Sequence, residues 1–397
     1  MPWDERTVNK MREEFVKRVL NHEKSKSALC REYGISRPTG DKWIKRYLAG
    51  ESLEDRRRTP KTIHRTAKET EQLILGYRLD HQGLGAAKIK RTLENEGHSD
   101  LPCVKTVNNI LKRNGLISKE ASEAATPYLR FEQAEPNRMW QGDYKGSFLL
   151  RNGQRCYPLN VIDDSTRFDL CCKALHGETF EEMQPIMIGL FEEYGLPEIF
   201  LCDNGNPWGT QQTPGYTRFE VWMMEQGILV MHGRPLHPQT QGKVESFNRS
   251  LKNELLKFKT FADHAEADEE FRVYREFYNT KRPHKALDME TPITRYRKSE
   301  RQYQSEIRPW EEYPEGCEIR TIKSTGYITW KSQGYFLSQA FGGKEVAVRE
   351  SAEEGCIEIL YRQFKIAKLN IEGGGYVWRR AYLLHNDPRE GSERPKN

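Results

Sequence analysis

Apolar residues recur at helical spacing through the first third of the chain, then run in short strand-like bursts. From Val8 to Leu20 they fall at Val8, Met11, Phe15, Val19 and Leu20, which predicts an amphipathic helix. Residues 25–33 predict a second helix, stopped by Gly34. Ser36 is placed to cap a third over 37–48, with Pro38 in its first turn. In that third helix Trp43, Ile44, Tyr47 and Leu48 are expected to face inward, and Arg37, Thr39, Lys42, Lys45 and Arg46 outward. A short helix, a Gly-centred turn and a basic second helix is the layout that sets side chains into a major groove. Residues 1–54 therefore read as a helix-turn-helix; a plain three-helix bundle is the bland alternative. Residues 62–118 repeat the theme, with helices predicted over 67–79, 86–96 and 105–114. Val104, Val107, Ile110 and Leu111 make the inner stripe, while Lys105, Lys112 and Arg113 face out. Gly83-Leu84-Gly85-Ala86-Ala87 follows no strand, so it reads as a helix start and not as a nucleotide loop.

Over 137–300 the pattern changes. A first strand carries Trp140 to Asp143, and strands follow over 148–150, 156–163 and 168–174. A helix over 180–194 ends at Gly195, and a strand over 198–202 runs into Asp203-Asn204-Gly205. A helix over 216–226, a strand over 228–231, and helices from 242 to about 258 and over 264–281 complete the segment. This succession predicts a mixed sheet with helices on its faces. From 310 to 386 five short strands, over 327–330, 335–337, 345–349, 356–361 and 364–369, predict a small barrel. The fold class is multidomain α+β.

Charge sharpens the division. Residues 1–135 hold 27 Lys+Arg against 20 Asp+Glu, out of 63 and 58 in the whole chain, leaving 36 against 38 for the rest. The positive excess sits with the helical modules, as a grip on a polyanion requires. Arg56, Arg57 and Arg58 form a basic linker suited to phosphates or a minor groove. The eight cysteines form no C-x-x-C, which argues against a zinc site. Scattered cysteines and no signal peptide or apolar span fit a soluble protein of a reducing cytosol, without a membrane partner.

Three acids stand in distinctive surroundings. Asp143 lies in Trp140-Gln141-Gly142-Asp143, Asp203 ends an apolar strand, and Glu245 lies in Gln241-Gly242-Lys243-Val244-Glu245. Val244, Phe247, Leu251 and Leu255 form the inner stripe of its helix, so Glu245 sits at the margin, with Arg249 and Lys252 on its own face. Three converging carboxylates can hold a pair of Mg²⁺ ions (Mn²⁺ as substitute), the device that serves both oxygens of an in-line phosphoryl transfer. Asp163 and Asp164 read mainly as turn residues, and Glu178, Glu181 and Glu182 as exposed. His232 and His237 are five apart with Pro235 between, a poor metal pair. Trp140, Trp208 and Trp222 read as packing residues.

Those signatures, with His237-Pro238-Gln239-Thr240-Gln241-Gly242-Lys243-Val244-Glu245, Tyr278-Asn279, Arg282-Pro283-His284, Leu287 and Thr291-Pro292, resemble the retroviral-integrase-type catalytic core, and within it bacterial insertion-sequence transposases with an Asp-Asp-Glu triad. The resemblance implies an RNase H-like core over 137–300, flanked by helix-turn-helix modules and an SH3-like barrel over 310–386. It implies that Asp143, Asp203 and Glu245 are the catalytic metal ligands, and that His237, Gln239, Gly242 and Lys243 line the site or touch DNA. It also implies double-stranded DNA as partner (terminal inverted repeats and target) and a homodimer or larger assembly in bacterial cytoplasm. Two features depart from the pattern: a Pro- and Gly-containing insertion over 208–216, expected as a surface loop, and Ser246 where Arg is frequent. Two rival readings are a DNA-binding regulator with a silent core, and an RNase H-like nuclease using Glu181 or Glu182.

Overall fold

The computed structural model describes residues 5–55, 66–117, 133–209, 215–233 and 241–384. The chain forms two compact units, Met1–Arg65 and Thr66–Asn397. In the first, α1 (Glu5–Leu20), α2 (Lys26–Glu32) and α3 (Arg37–Leu48) enclose Phe15, Val16, Leu29, Cys30 and Trp43. The hydroxyls of Ser25 and Ser36 accept from the amides of Ala28 and Thr39, so each cap does what its position predicts. Helical phase corrects three expectations. Leu48 stands about 140° around the helix from Trp43 and is 67% exposed. Thr39 and Arg46 lie close to the buried side. The Thr39 hydroxyl is 2.8 Å from Ser36 Oγ, and the Arg46 guanidinium lies 5.2 Å over the Trp43 ring.

The second unit begins with α4 (Lys68–Asp80), α5 (Ala86–Asn95) and α6 (Val104–Arg113), packed around Ile74, Leu84, Ile89, Leu93, Val107, Ile110 and Leu111. Val104, expected inward, opens its helix and is exposed. The central sheet comprises β1 (Met139–Tyr144), β2 (Phe148–Leu149), β3 (Arg155–Asp163), β4 (Asp169–Leu175), β5 (Ile199–Cys202) and β6 (Leu229–His232). Its order is β4-β3-β1-β5-β6, with β2 also on β3. The strands β4, β3 and β1 pair antiparallel, and β1, β5 and β6 parallel. Helices α7 (Phe180–Tyr194) and α8 (Arg218–Glu225) cover one face, burying Met183, Met187, Phe191 and Trp222 against Trp140, Val161 and Phe200. Helices α9 (Gly242–Leu251) and α10 (His264–Thr280) cover the other, with Val244, Phe247, Phe271 and Tyr274 against Cys156, Ile162 and Cys172. This is the mixed, doubly covered sheet that the sequence predicts. One helix differs: α9 gives way at Lys252–Leu256 to a π-helical turn.

The C-terminal region holds β7 (Glu318–Thr321), β8 (Tyr327–Trp330), β9 (Gln333–Phe336), β10 (Glu345–Glu350), β11 (Cys356–Tyr361), β12 (Phe364–Asn370) and β13 (Gly375–Leu383). In place of the expected closed barrel, the described residues form an open five-stranded sheet, β13-β12-β11-β10-β7, and a separate β8-β9 hairpin. Ile328, Trp330 and Tyr335 of the hairpin share one core with Val346, Val348, Ile359 and Phe364 of the sheet, so apolar burial joins the two, helped by Arg379 of β13, which donates to the Phe336 carbonyl at 3.3 Å. Helix α8 belongs to both neighbours. Phe219, Trp222 and Met223 enter the core of the central sheet, and Val221 and Met224 enter the C-terminal one.

Candidate active site

Strand register brings the first two carboxylates together. In the β1–β5 pair Gln141 stands opposite Leu201, so two residues further on Asp143 and Asp203 come level on adjacent parallel strands. Neighbouring strands lie ~4.8 Å apart. Gly142 leaves room for the Phe200 ring beside this approach: a Cβ there would stand 2.8 Å from its Cε1 and closer still to its Cζ. Trp140 anchors the strand below, fully buried, with its Nε1 donating to Asn137 Oδ1 at 3.0 Å.

The helix bearing Glu245 is fastened to β1 at two points. The Val244 amide donates to Gln141 Oε1 at 3.2 Å, and Asn248 Nδ2 donates to Asp143 Oδ2 at 2.6 Å. Asn160, paired across from Asp143, donates in turn to Asn248 Oδ1 at 2.5 Å. Asn248 follows Glu245 by three positions and shares its side of the helix. Asp143 is half-buried, and its carboxyl is pushed up to about 7. Burial is the main cause; the charges of Asp203 and Glu245 add to it, and the Asn248 hydrogen bond opposes it. Asp203 is exposed, and its Oδ1 accepts from the Gly205 amide at 2.8 Å. Asp143 thus feels Asp203 and Glu245 as like charges. Among the described residues, no three His, Cys, Asp or Glu side chains stand close enough together to ligate one ion.

Several expectations about single residues change. Lys243, expected to line the site or touch DNA, has its Nζ 2.8 Å from Asp164 Oδ1, in a pair whose side chains are 11% and 0% exposed. Asp164 opens the turn after β3 as expected, and it also accepts from Gln141 Nε2 at 2.6 Å, so this turn residue is in addition a buried brace between β1 and the start of α9. Asp163, equally buried, accepts from the Asn137 amide and from Thr166. The insertion is no simple surface loop at its ends, since Trp208 and Tyr216 are buried. Arg37, Lys42, Lys45, Lys105, Arg249 and Lys252 are exposed as expected. Arg56, Arg57, Arg58, His237 and Gln239 lie outside the described residues. Sequence reasoning missed Asn248, Gln141 and Asn160; for Asn248 the signal was its position one helical turn after Glu245. No helix among the described residues is long and apolar enough to cross a membrane.

Comparison with known proteins gives four domain matches: a helix-turn-helix domain over residues 11–61, integrase core domains over 133–238 and 226–292, and the C-terminal domain of IS481 family transposases over 317–374. The transposase for insertion sequence element IS904 of Lactococcus lactis is 26% identical over 259 residues, covering 58% of this chain and 97% of that protein. Transposase InsD of the Escherichia coli IS2 elements is 26% identical over 227 residues, covering 52% and 69%. Among solved structures, the HTLV-2 integrase catalytic core domain in complex with magnesium is 17% identical, with a TM-score of 0.32, over 41% of this chain and 98% of that one. The chain thus carries integrase core domains between a helix-turn-helix domain and the C-terminal domain of IS481 family transposases, and its curated relatives are insertion-sequence transposases.

Proposed function

We propose that this transposase binds the terminal inverted repeats of its element, cleaves there, and joins the freed 3′-hydroxyl to target DNA. The observation that carries this reading is Asp143, half-buried and held near neutrality by burial and by the like charges of two other carboxylates. Such crowding of negative oxygen donors suits hard divalent cations, which relieve the repulsion and prefer carboxylates. Asp143, Asp203 and Glu245 would hold two Mg²⁺, with Mn²⁺ as substitute. When bound, those ions supply charge neutralisation at the attacking and leaving oxygens.

The chain's own residues do the rest. Asn248 and Gln141 orient Asp143 and the start of α9, and the Asp164–Lys243 pair braces that junction. Arg37, Lys42 and Lys45 present cations along the exposed side of α3, the element that would enter a major groove. Lys105 offers the same on α6, and Arg249 and Lys252 lie beside the triad for phosphates over the site. His237, Gln239 and the Arg56–Arg58 linker are further DNA contacts in this reading. Joining two element ends requires at least two copies, so a homodimer or larger synaptic assembly in the bacterial cytoplasm is proposed.

Labelled element ends incubated with Mg²⁺ or Mn²⁺ test the reading. Wild type is expected to nick them, and Asp143→Asn, Asp203→Asn and Glu245→Gln to lose nicking while retaining end binding. Equal inertness of wild type and Asp143→Asn, with both bound to DNA, would favour a regulator. Preferential cutting of an RNA–DNA hybrid would favour a nuclease.

A further inference from the structure

The Asp203 carboxylate projects from a strand end, just past the sheet bond from the Gly233 amide to the Cys202 carbonyl at 3.0 Å and just before Asn204, whose Nδ2 donates to the Gly233 carbonyl at 3.0 Å. The Asp203 carbonyl between these two bonds is held by a side chain from the next strand. His232, the last residue of β6, pairs with Cys202 in register, and its Nδ1 donates to the Asp203 carbonyl at 2.6 Å. On the other side of the ring, Nε2 stands 3.1 Å from Glu220 Oε1. Glu220 is the third residue of α8, and its Oε2 accepts from the Thr217 amide and hydroxyl at 2.7 and 3.0 Å, closing a capping box. The ring fits tightly, since a Cβ on Gly209 would lie 3.0 Å from its Cε1. Helix α8 is bonded to the C-terminal sheet at its far end. Tyr361 Oη donates to Glu225 Oε1 at 3.0 Å, and Lys344 Nζ lies 2.5 Å from the same oxygen. Just before the helix, Tyr216 Oη donates to the Ile366 carbonyl at 2.5 Å.

We propose that His232 is a positioning residue for Asp203, fixing the peptide from which the carboxylate projects. Through Glu220 and α8 it couples that carboxylate to the C-terminal sheet. The proposal rests on the reading of Asp203 as a metal ligand. Two bonds fall on Asp203 itself, His232 on its carbonyl and the Gly205 amide on its side chain, while the Cys202 and Asn204 ties to Gly233 hold the flanking residues. Groups that orient a ligand in this way typically change metal affinity by about 10–100-fold when lost.

The two ring nitrogens can be tested separately. Asn places an amide nitrogen where Nδ1 was and so keeps the Asp203 contact; Gln places one where Nε2 was and keeps only the Glu220 side. In the full chain, Mn²⁺ binding is measured by calorimetry, and nicking of element ends is titrated with Mn²⁺. Melting temperature and end-binding affinity report the fold. His232→Gln is expected to weaken Mn²⁺ about tenfold and to raise the half-saturating Mn²⁺ for nicking in parallel. His232→Asn should stay near wild type in both, and both variants should bind DNA ends normally. Should His232→Gln melt early, Glu220→Gln against Glu220→Leu makes the same distinction: Gln preserves the cap and the ring contact and keeps Mn²⁺ affinity, and Leu loses it. Equal Mn²⁺ affinity within each pair, whether both normal or both weakened, overturns the proposal. Failure of the triad reading shows separately, because Asp143→Asn and Asp203→Asn would then leave Mn²⁺ binding unchanged.

Discussion

Two carboxylates, one half-buried and one buried, show how the same physics serves different ends. At Asp143, burial and like charge raise the proton affinity beside groups that can accept a cation. At Asp169 on β4 there is only burial. Its side-chain oxygens meet no well-placed hydrogen-bond donor, and the carboxyl rises to about 8 although the charge of Arg275 and the Cys171 backbone amide pull the other way. Asn279 nonetheless holds the Asp169 backbone from both sides, at 2.8 and 2.9 Å. In the unfolded chain this acid titrates at the ordinary 3.8. The folded state therefore binds its proton more tightly, and the stabilisation it contributes is complete below pH 3.8 and lost as pH rises through about 8. Asp169→Asn removes that dependence. The melting-temperature difference, variant minus wild type, should grow between pH 5 and pH 8, by a few kcal/mol in stability. A difference independent of pH in scanning fluorimetry would show that Asp169 ionises normally in the fold.

At the scale of elements, strand β1 was legible because its motif mixes roles that a sheet can satisfy only one way. Trp140 must be buried, Gly142 must admit a ring, and Asp143 must emerge at the strand end. The close approach of Phe200 turns the glycine into a spacing device for Asp143 and Asp203. Gly142→Ala should cost about 1–3 kcal/mol through overpacking. It should also lower nicking far more than end binding, because it pushes β5 away from β1. A parallel loss of both, measured on the folded variant, would contradict that account. Helices α3, α7 and α10 were read closely from period and caps, which are local signals. The π-helical turn after α9 was not, and its tightest side-chain tie is remote in sequence: Glu254 within it pairs with Arg282, 2.7 Å away and 28 positions on. Strand β7 escaped notice for a different reason. All four of its residues are exposed, so no alternation marks it. The open C-terminal sheet was likewise hidden, since strand count does not state which edges pair. In the site, the acids stood out by motif. Their amide partners did not, since Gln141, Asn160 and Asn248 acquire meaning only once β1, β3 and α9 meet.

Across the second unit, the helical module of α4–α6 is seated on the catalytic core at the turn that continues the Glu245 helix. The His81 ring stacks on Phe277 of α10 at 4.4 Å, nearly parallel. Gly83 presses on the π-helical turn, where a Cβ would come 2.9 Å from both the Asn253 carbonyl and Glu254 Cα. Beneath that contact lies the Arg282–Glu254 pair, 5% and 9% exposed. Although burial opposes it, hydrogen bonds and charge from Arg282 hold the Glu254 carboxyl below its ordinary value. Breaking one partner of such a pair costs about 3–5 kcal/mol, so the turn is a rigid seat. Because the contact at Gly83 is with backbone, a side chain there cannot be absorbed by a rotamer change. Gly83→Ala is therefore expected to unseat the module while leaving its own core of Ile74, Ile89, Val107 and Ile110 packed. Hydrogen exchange should rise around residues 81–85 and in the α10 segment beside Phe277, and remain unchanged within α5 and α6. Gly76→Ala, in the middle of α4 with open space at its Cβ, is the control and should stabilise by roughly 0.5–1 kcal/mol. If Gly83→Ala exchanges like Gly76→Ala, the seat yields easily, and the module's position on the core is not set by this glycine.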